Sequence, residues 1–479
     1  MVRVTADATA PPPVPMRTKV LYGVGDIANS VKMVLFGLFT IYFYTTVMGL
    51  PARLVGIASA IGLFWDALID PYIGSYSDRC CSSWGRRHPF ILAGSLAMGL
   101  CMWLFFRPPP DLSTPMLCFW LLATGLLVRT MTSFYGVPYY ALGAELSQDY
   151  HERTQITGIR SAWALAGTLA AATLPFLLFF STPAEGSDPK LTYGSYPVMG
   201  GAFGAVMSAA GLVACFSTWP LRNLRVPHLG LETGSSPRGF FEGFALSMAN
   251  RSFRILFLSF SLFFLGVVIN GSVSIHFLTQ YAAIHSSRAI SAFQLSFYLG
   301  GLCGVLFWTP VSRRFEKRRL YFVSTLFTAT VMSAAFLLFG EGHPLGTGNI
   351  KALCVGHGLA GFFASILWIL PGSMIADVAD EDAVATGTRR EGTFFGIFFF
   401  GQQIAAGLSL LVTGVLAQDF AGLSPGTAVQ SAATARRLAM IYSLLPAGLL
   451  AVAAFLIVGY RLDRAKVERI QEHLHRGIR

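Results

Sequence analysis

Charge is what this chain lacks. Only 12% of its 479 residues are Asp, Glu, Lys or Arg, about half of the ~25% usual in soluble domains. The hydrophobic share is 54% and the mean hydropathy +0.58. A shortage of that size excludes a soluble globular protein and leaves a polytopic membrane protein. Cysteine is scarce too. Of the seven, Cys80 and Cys81 are adjacent and the others stand singly in apolar runs. No CxxC spacing occurs, so there is no metal or disulfide framework. They read as small apolar side chains in helices. His276 and His357 also stand alone in apolar runs, as hydrogen-bonded core histidines do. There is no phosphate loop, Walker motif or nucleophile elbow. Nothing couples the chain to ATP, no cofactor is implied, and no enzyme is expected. No signal peptide is expected either. The first 19 residues, "MVRVTADATAPPPVPMRTK", are Pro-rich and polar, and a disordered cytoplasmic tail is expected there.

What the chain has is apolar runs of spanning length, about 20 residues each. Twelve are found, near 20–46, 54–76, 89–106, 114–138, 158–182, 197–219, 252–281, 290–311, 320–340, 350–377, 392–418 and 434–459. The net charge is +11, but the basic residues lie between the runs rather than in one patch. That argues against nucleic acid and makes them topology signals, with attraction to anionic lipid headgroups as a side effect. With the N-terminus inside, 26 of the 35 lysines and arginines fall in cytoplasmic segments and 7 in outer loops. Two, Lys32 and Arg129, fall inside spans. This asymmetry supports twelve spans with both ends in the cytoplasm.

The expected fold is all-α: twelve transmembrane helices in two pseudo-symmetric six-helix halves, 20–219 and 251–459. Residues 220–250 form a cytoplasmic linker and 460–479 a cytoplasmic basic helix. The halves echo each other. "VPYYALGAELSQDYHERTQITGIRSA" at the end of the fourth run matches "LPGSMIADVADEDAVATGTRREGTFF" at the end of the tenth. Their prolines, Pro138 and Pro371, are 233 residues apart, about half the chain. Such duplication is the signature of transporters built around a midplane site. In the last segment, "YRLDRAKVERIQEHLHRGIR", Val467, Ile470, Leu474 and Ile478 make an apolar stripe at helical spacing. That stripe is expected to lie along the inner membrane surface.

Two carboxylates break the second run. Asp66 and Asp70 are spaced i, i+4 and share one helix face. Asp66 sits near mid-bilayer, where a charge costs roughly 2.5–3.5 kcal/mol. Either the pair binds a cation, or basic neighbours satisfy it and lock helices together. Lys32 and Arg129 lie at similar depth and balance it two against two. They form an internal salt-bridge network, release a carboxylate when ligand binds, or hold an anionic solute.

The segment "GSYSDRCCSSWGRRHP" resembles the loop after the second span of the major facilitator superfamily. "YGVGDIANS", "WDALIDP" and "PYYALGAELSQDYHERTQITGIR" resemble its glycoside–pentoside–hexuronide:cation symporter family, typified by the melibiose carrier. The resemblance runs from Leu21 to Gln418. It implies a cation site at Asp66 and Asp70, completed by Ser133. Ile69 stands where sodium-using members carry a polar amide, which favours H⁺ over Na⁺. The galactoside grip of the sugar carriers is missing: Asn29, Ser30 and Gly136 replace its charged residues. Tyr140 replaces a stacking Trp, and Gln403, beside Gln402, replaces a lysine. Asn29, Tyr140, Gln402 and Gln403 remain as hydrogen-bonding groups, while the phenylalanines of "GTFFGIFFFGQQ" suit an apolar ligand.

At the cytoplasmic ends, acidic and basic residues interleave: Asp78, Arg79, Arg86, Arg87, Glu145, Asp149 and Arg153 in the first half, and Asp377, Asp380, Glu381, Asp382, Arg389 and Arg390 in the second. Opposite charges at facing helix ends can close an inner gate. The reading is a monomeric secondary transporter of the inner (plasma) membrane. It would couple H⁺ or Na⁺ to symport of a small polar solute, a sugar or glycoside. Two rivals are a carrier of lysolipid-like amphiphiles and a non-transporting receptor or scaffold.

Overall fold

A computed structural model describes residues 13–80, 82–147, 149–180, 188–221, 237–387 and 390–476. Inside lipid a backbone must satisfy its own hydrogen bonds, so every apolar run becomes a helix. Among the described residues, twelve helices are long and apolar enough to cross a membrane. Spans 1 to 6 are Met16–Val47, Ala52–Asp78, His88–Phe105, Thr114–Gly143, Glu152–Leu178 and Ser195–Leu221. Spans 7 to 12 are Arg251–Tyr281, Ser287–Ser312, Lys317–Leu338, Ile350–Thr386, Glu391–Phe420 and Ala432–Ile457. Side-chain caps mark several starts. Asp149 accepts from the Glu152 amide at 2.7 Å, and Asn250 from that of Phe253 at 3.0 Å; each supplies an acceptor to an otherwise unpaired helical N–H.

Three boundaries differ from the sequence reading. The expected tail 1–19 ends early, because helix begins at Met16. Lys19 is buried there and pairs with Glu152 at 2.7 Å, which ties the start of span 1 to span 5. Residues 1–12 lie outside the described set. Helix also continues through Pro138 to Glu145 and through Pro371 to Thr386, so both repeat segments extend a span instead of closing it. A proline removes one helical hydrogen bond, and ion pairs beyond each proline hold the extensions. The C-terminal helix, Arg464–Arg476, packs against the second half. Val467 and Ile470 pack on the core of the second half, and Lys466 pairs with Glu381 of span 10 at 2.5 Å.

The pairing of spans carries the internal symmetry. In the first half, span 1 packs on 5 and 6, span 3 on 4 and 6, and span 2 on 4. In the second half, span 7 packs on 11 and 12, span 9 on 10 and 12, and span 8 on 10. Adding six to each number converts one set into the other. The halves meet through span 2 on 11, span 5 on 8, and span 1 on 7, and the same operation exchanges the first two contacts.

The halves join at the face opposite the chain ends. There Thr46 meets His276 at 3.0 Å, and the Gly426 amide donates to the Thr45 carbonyl at 2.9 Å. Lys190 donates to the His285 carbonyl at 2.5 Å, and Ser287 to that of Phe180 at 2.6 Å. Two glycines bring spans 2 and 11 into backbone contact: a Cβ on Gly414 would stand 2.5 Å from the Ala52 oxygen and 2.8 Å from the Gly56 Cα. The larger apolar core crosses the seam at this face, uniting Phe39, Phe43 and Tyr44 with Phe277, Leu278 and Tyr442.

Candidate functional site

Below that seal, a cavity of about 570 Å³ lies between the halves. The first half lines it with Asn29, Ser30 and Lys32 of span 1, Asp66 of span 2 and Arg129 of span 4. The second half contributes Asn270, Gln294, Tyr298, His357, Gln402 and Gln403. Phe36, Phe264, Phe297 and Phe399 supply an apolar wall. Every acidic, lysine or arginine side chain on the described lining belongs to the first half.

Asp66 and Arg129 form a direct ion pair across spans 2 and 4. Gly62, one turn earlier on span 2, makes room for it: a Cβ there would stand 2.6 Å from the Arg129 Nε. The guanidinium also lies over the Phe36 ring, 5.6 Å from its centroid. The pair leaves oxygens over. Oδ1 of Asp66 and Oδ1 of Asp70 are both buried and have no hydrogen-bond partner among the described residues. The Ser133 hydroxyl reaches Asp70. Pro71 has no amide with which to close the helical bond to the Ala67 carbonyl. Asp70 itself is not among the residues that line the cavity. The ε-ammonium of Lys32 has a different fate. It faces the cavity and donates to the Thr132 hydroxyl at 3.4 Å, with no ion pair among the described residues.

Other expected cavity groups divide. Asn29, Gln402 and Gln403 line the cavity. Tyr140 does not stand among its lining residues. Its hydroxyl donates to Asp26 at 2.8 Å and accepts from Asn29 at 3.1 Å. Tyr140 thus positions Asn29. Asp26 is the buried hub of this network and also accepts from Arg160 at 3.0 Å. The guanidinium of Arg160 lies 4.5 Å from the Tyr140 ring centroid. Sequence reasoning passed over Asp26 and Arg160, since charges near span ends are ordinary. It also treated His357 as a core residue. The ring does hydrogen-bond to the Phe293 carbonyl at 2.9 Å and stack on Phe293, yet it lines the cavity as well.

At the face bearing the chain ends, the described ion pairs stay within one half. Arg86 and Arg87 of the loop before span 3 hold Glu145 at 2.6 and 3.0 Å. Arg87 also holds Asp78 and Ser77. In the second half, Lys317 at the start of span 9 holds Asp377 of span 10 at 2.5 Å. Under the repeat, spans 9 and 10 correspond to spans 3 and 4. Arg390 holds Asp382 at 2.8 Å, and Arg153 donates to the Ser147 carbonyl at 2.6 Å. Arg79 is exposed, Asp380 lies on span 10 beside Asp377, and Arg389 falls outside the described residues.

Residues 21–464 match the family described as MFS/sugar transport protein. The chain belongs to that family. It is a multi-pass membrane transporter of the symporter type in the major facilitator superfamily, and not an enzyme. It is 26% identical to the putative glycoside/cation symporter YagG of Escherichia coli, over 96% of this chain and 95% of that one. The sodium-dependent lysophosphatidylcholine symporter 1-A of Danio rerio is 23% identical, over 96% of this chain and 88% of that one. Among solved structures, a bacterial homologue of the lysosomal transporter Spinster superposes with a TM-score of 0.62. That match has 17% identity and covers 93% of this chain and 97% of that one.

Proposed function

We propose that this transporter is a proton-coupled symporter of a polar, glycoside-sized solute. It would work by alternating access in the inner membrane, with both termini in the cytoplasm. One observation carries the reading. Two carboxylates one helix turn apart each keep an unpartnered, buried oxygen, and one of them forms the wall of a cavity shared by both halves. Burying an unpaired carboxylate oxygen is costly, and a mobile cation is the partner that relieves the cost. The donor set favours H⁺ over Na⁺. Arg129 occupies one oxygen of Asp66, Lys32 stands close by, and Ile69 adds no ligand. A second full cation meets repulsion there, whereas a proton needs only one carboxylate oxygen. The basic loops support the orientation, and on that orientation the seam at the far face makes this an inward-facing arrangement. The charged groups at the cytoplasmic face would then repartner across the seam when the cavity turns outward.

The test is accumulation in proteoliposomes under a pH gradient and, separately, a sodium gradient. A panel of labelled glycosides serves as probe. Accumulation driven by the pH gradient and lost in Asp70→Asn supports the reading. Accumulation driven by sodium alone overturns the choice of ion. A second reading, transport of an amphiphile, rests on the phenylalanine wall of the cavity. Uptake of a lysolipid with no glycoside uptake would favour it.

A further inference from the structure

We infer that Lys32 anchors an acidic group on the transported solute, and that this group and the coupling proton bind together because each compensates the other's charge. The inference deepens the proton-symport reading and rests on it. Four charged groups stand around the base of the cavity: Asp66, Asp70, Lys32 and Arg129. Their formal charges cancel. The structure nevertheless separates the two basic residues. Arg129 is committed, paired to Asp66 and seated over Gly62 and Phe36. Lys32 lines the cavity with a single contact of 3.4 Å to a neutral hydroxyl, longer than the usual 2.7–3.2 Å for such a bond.

A proton added to the aspartate pair leaves one positive charge over. The basic group without a carboxylate partner is Lys32, and it faces the space where a solute would sit. The opposite wall offers nothing to compete with it. Asn270, Gln294, Tyr298, Gln402 and Gln403 are uncharged, and His357 is turned by its bond to the Phe293 carbonyl. An ammonium in such a place takes an anion as a point charge, and charge-assisted hydrogen bonds are the stronger kind. The solute class is therefore a polar molecule with one negative charge: a carboxylate, or a sulfate or phosphate ester. Its hydroxyls would meet the neutral amides of the second half. One proton carried with one monoanion moves no net charge, so the membrane potential would not drive the cycle.

The experiment compares matched acids and neutral sugars on the purified full-length protein at pH 5.5. The probes are glucuronate, galacturonate and methyl β-D-glucuronide, each against glucose, galactose or methyl β-D-glucoside. Binding is read by calorimetry, and folding by melting without ligand. At least one acid should bind about ten-fold or more tightly than its neutral counterpart. Lys32→Gln should weaken that acid about 10- to 100-fold, and Lys32→Arg should retain the preference. If Lys32→Gln does not fold, Lys32→Met takes its place. The inference is overturned if no acid binds better than its counterpart, or if the preference survives loss of the Lys32 charge. Binding at fixed pH needs no gradient, so this failure leaves proton coupling standing. Conversely, intact gradient-driven accumulation in Asp70→Asn would remove proton coupling and leave the anion anchor.

Discussion

Arg129→Met removes the partner of a carboxylate that water reaches poorly. Both side chains of the pair are only 12% exposed. Breaking a buried pair by removing one member costs roughly 3–5 kcal/mol. The stranded Asp66 has one escape, which is to take up a proton. Neutralising a carboxyl costs about 1.4 kcal/mol for each pH unit above its ordinary titration point near 4, hence about 4 kcal/mol at pH 7 and about 2 kcal/mol at pH 5.5. The defect should therefore be near 4 kcal/mol at neutral pH and roughly half that at pH 5.5. Asp66→Asn alone leaves Arg129 with an amide acceptor and the Phe36 face, so its cost should be smaller, about 2 kcal/mol. The double variant leaves no stranded charge. It should be more stable than Arg129→Met by about 2 kcal/mol at pH 7, while coupling stays lost. Denaturant unfolding of the four proteins at both pH values measures each term. Additivity within about 0.5 kcal/mol, or a defect that does not change with pH, would refute the argument that the pair is what neutralises Asp66.

Other perturbations test other parts of the structure. Asp70→Asn should abolish gradient-driven accumulation while leaving insertion and melting near wild type, because an amide cannot exchange the coupling proton; retained accumulation would show that Asp70 is not the coupling group. Gly414→Val should hinder closure at the far face, since its Cβ would press on the Ala52 oxygen at 2.5 Å. A single cysteine at Asn270, labelled from outside, would then become more reactive, and unchanged labelling would mean the seam yields easily. Arg87→Ala should cost about 3 kcal/mol of stability, because the buried Arg87 joins Glu145, Asp78 and Ser77. Arg86→Ala, more exposed and sharing Glu145, should cost about 1 kcal/mol or less; equal losses in the two would refute this division of labour.

The spans were legible because lipid leaves the backbone few choices. Asp66, Asp70, Lys32 and Arg129 were legible as a charged set for the same reason, since a charge at mid-span needs a partner. Depth, however, does not say which way a side chain turns. Lys32 and Arg129 looked equivalent in sequence, but Arg129 pairs with Asp66, in room left by Gly62, while Lys32 donates to Thr132. Tyr140 was legible as a hydrogen-bonding group, but not that its partners would be Asp26 and Asn29. Asp26 itself gave no signal, because its partner Arg160 lies 134 positions away on another span. The cytoplasmic charges were read as facing one another across the halves, and here each described pair stays within its own half. Of the apolar stripe of the last helix, Val467 and Ile470 pack partly buried on the second half, a contact that an amphipathic pattern alone does not specify.

The arrangement of contacts bears on how such a carrier could turn. Spans 2 and 11, and spans 5 and 8, are the two seams that the internal repeat exchanges. Both are now fastened at the same face, one by Gly56 against Gly414 and the other by Ser287 on the Phe180 carbonyl. A rigid rocking of one half on the other must loosen both at this end and tighten both at the other. The ion pairs at the cytoplasmic ends would not resist such a motion, because each described one stiffens a single half. Resistance would come from charge at the centre, where the first half carries every acidic, lysine and arginine side chain of the described lining. An empty site with two carboxylates and two basic groups is neutral, and so is one that holds a proton together with an anion. A site with the proton alone keeps an uncompensated charge as it passes through the occluded state, and desolvating that charge costs several kcal/mol. On the proposed reading, this difference is what would let the empty and the fully loaded carrier turn while holding back the half-loaded one. Coupling would then be set by Lys32 as much as by the aspartates.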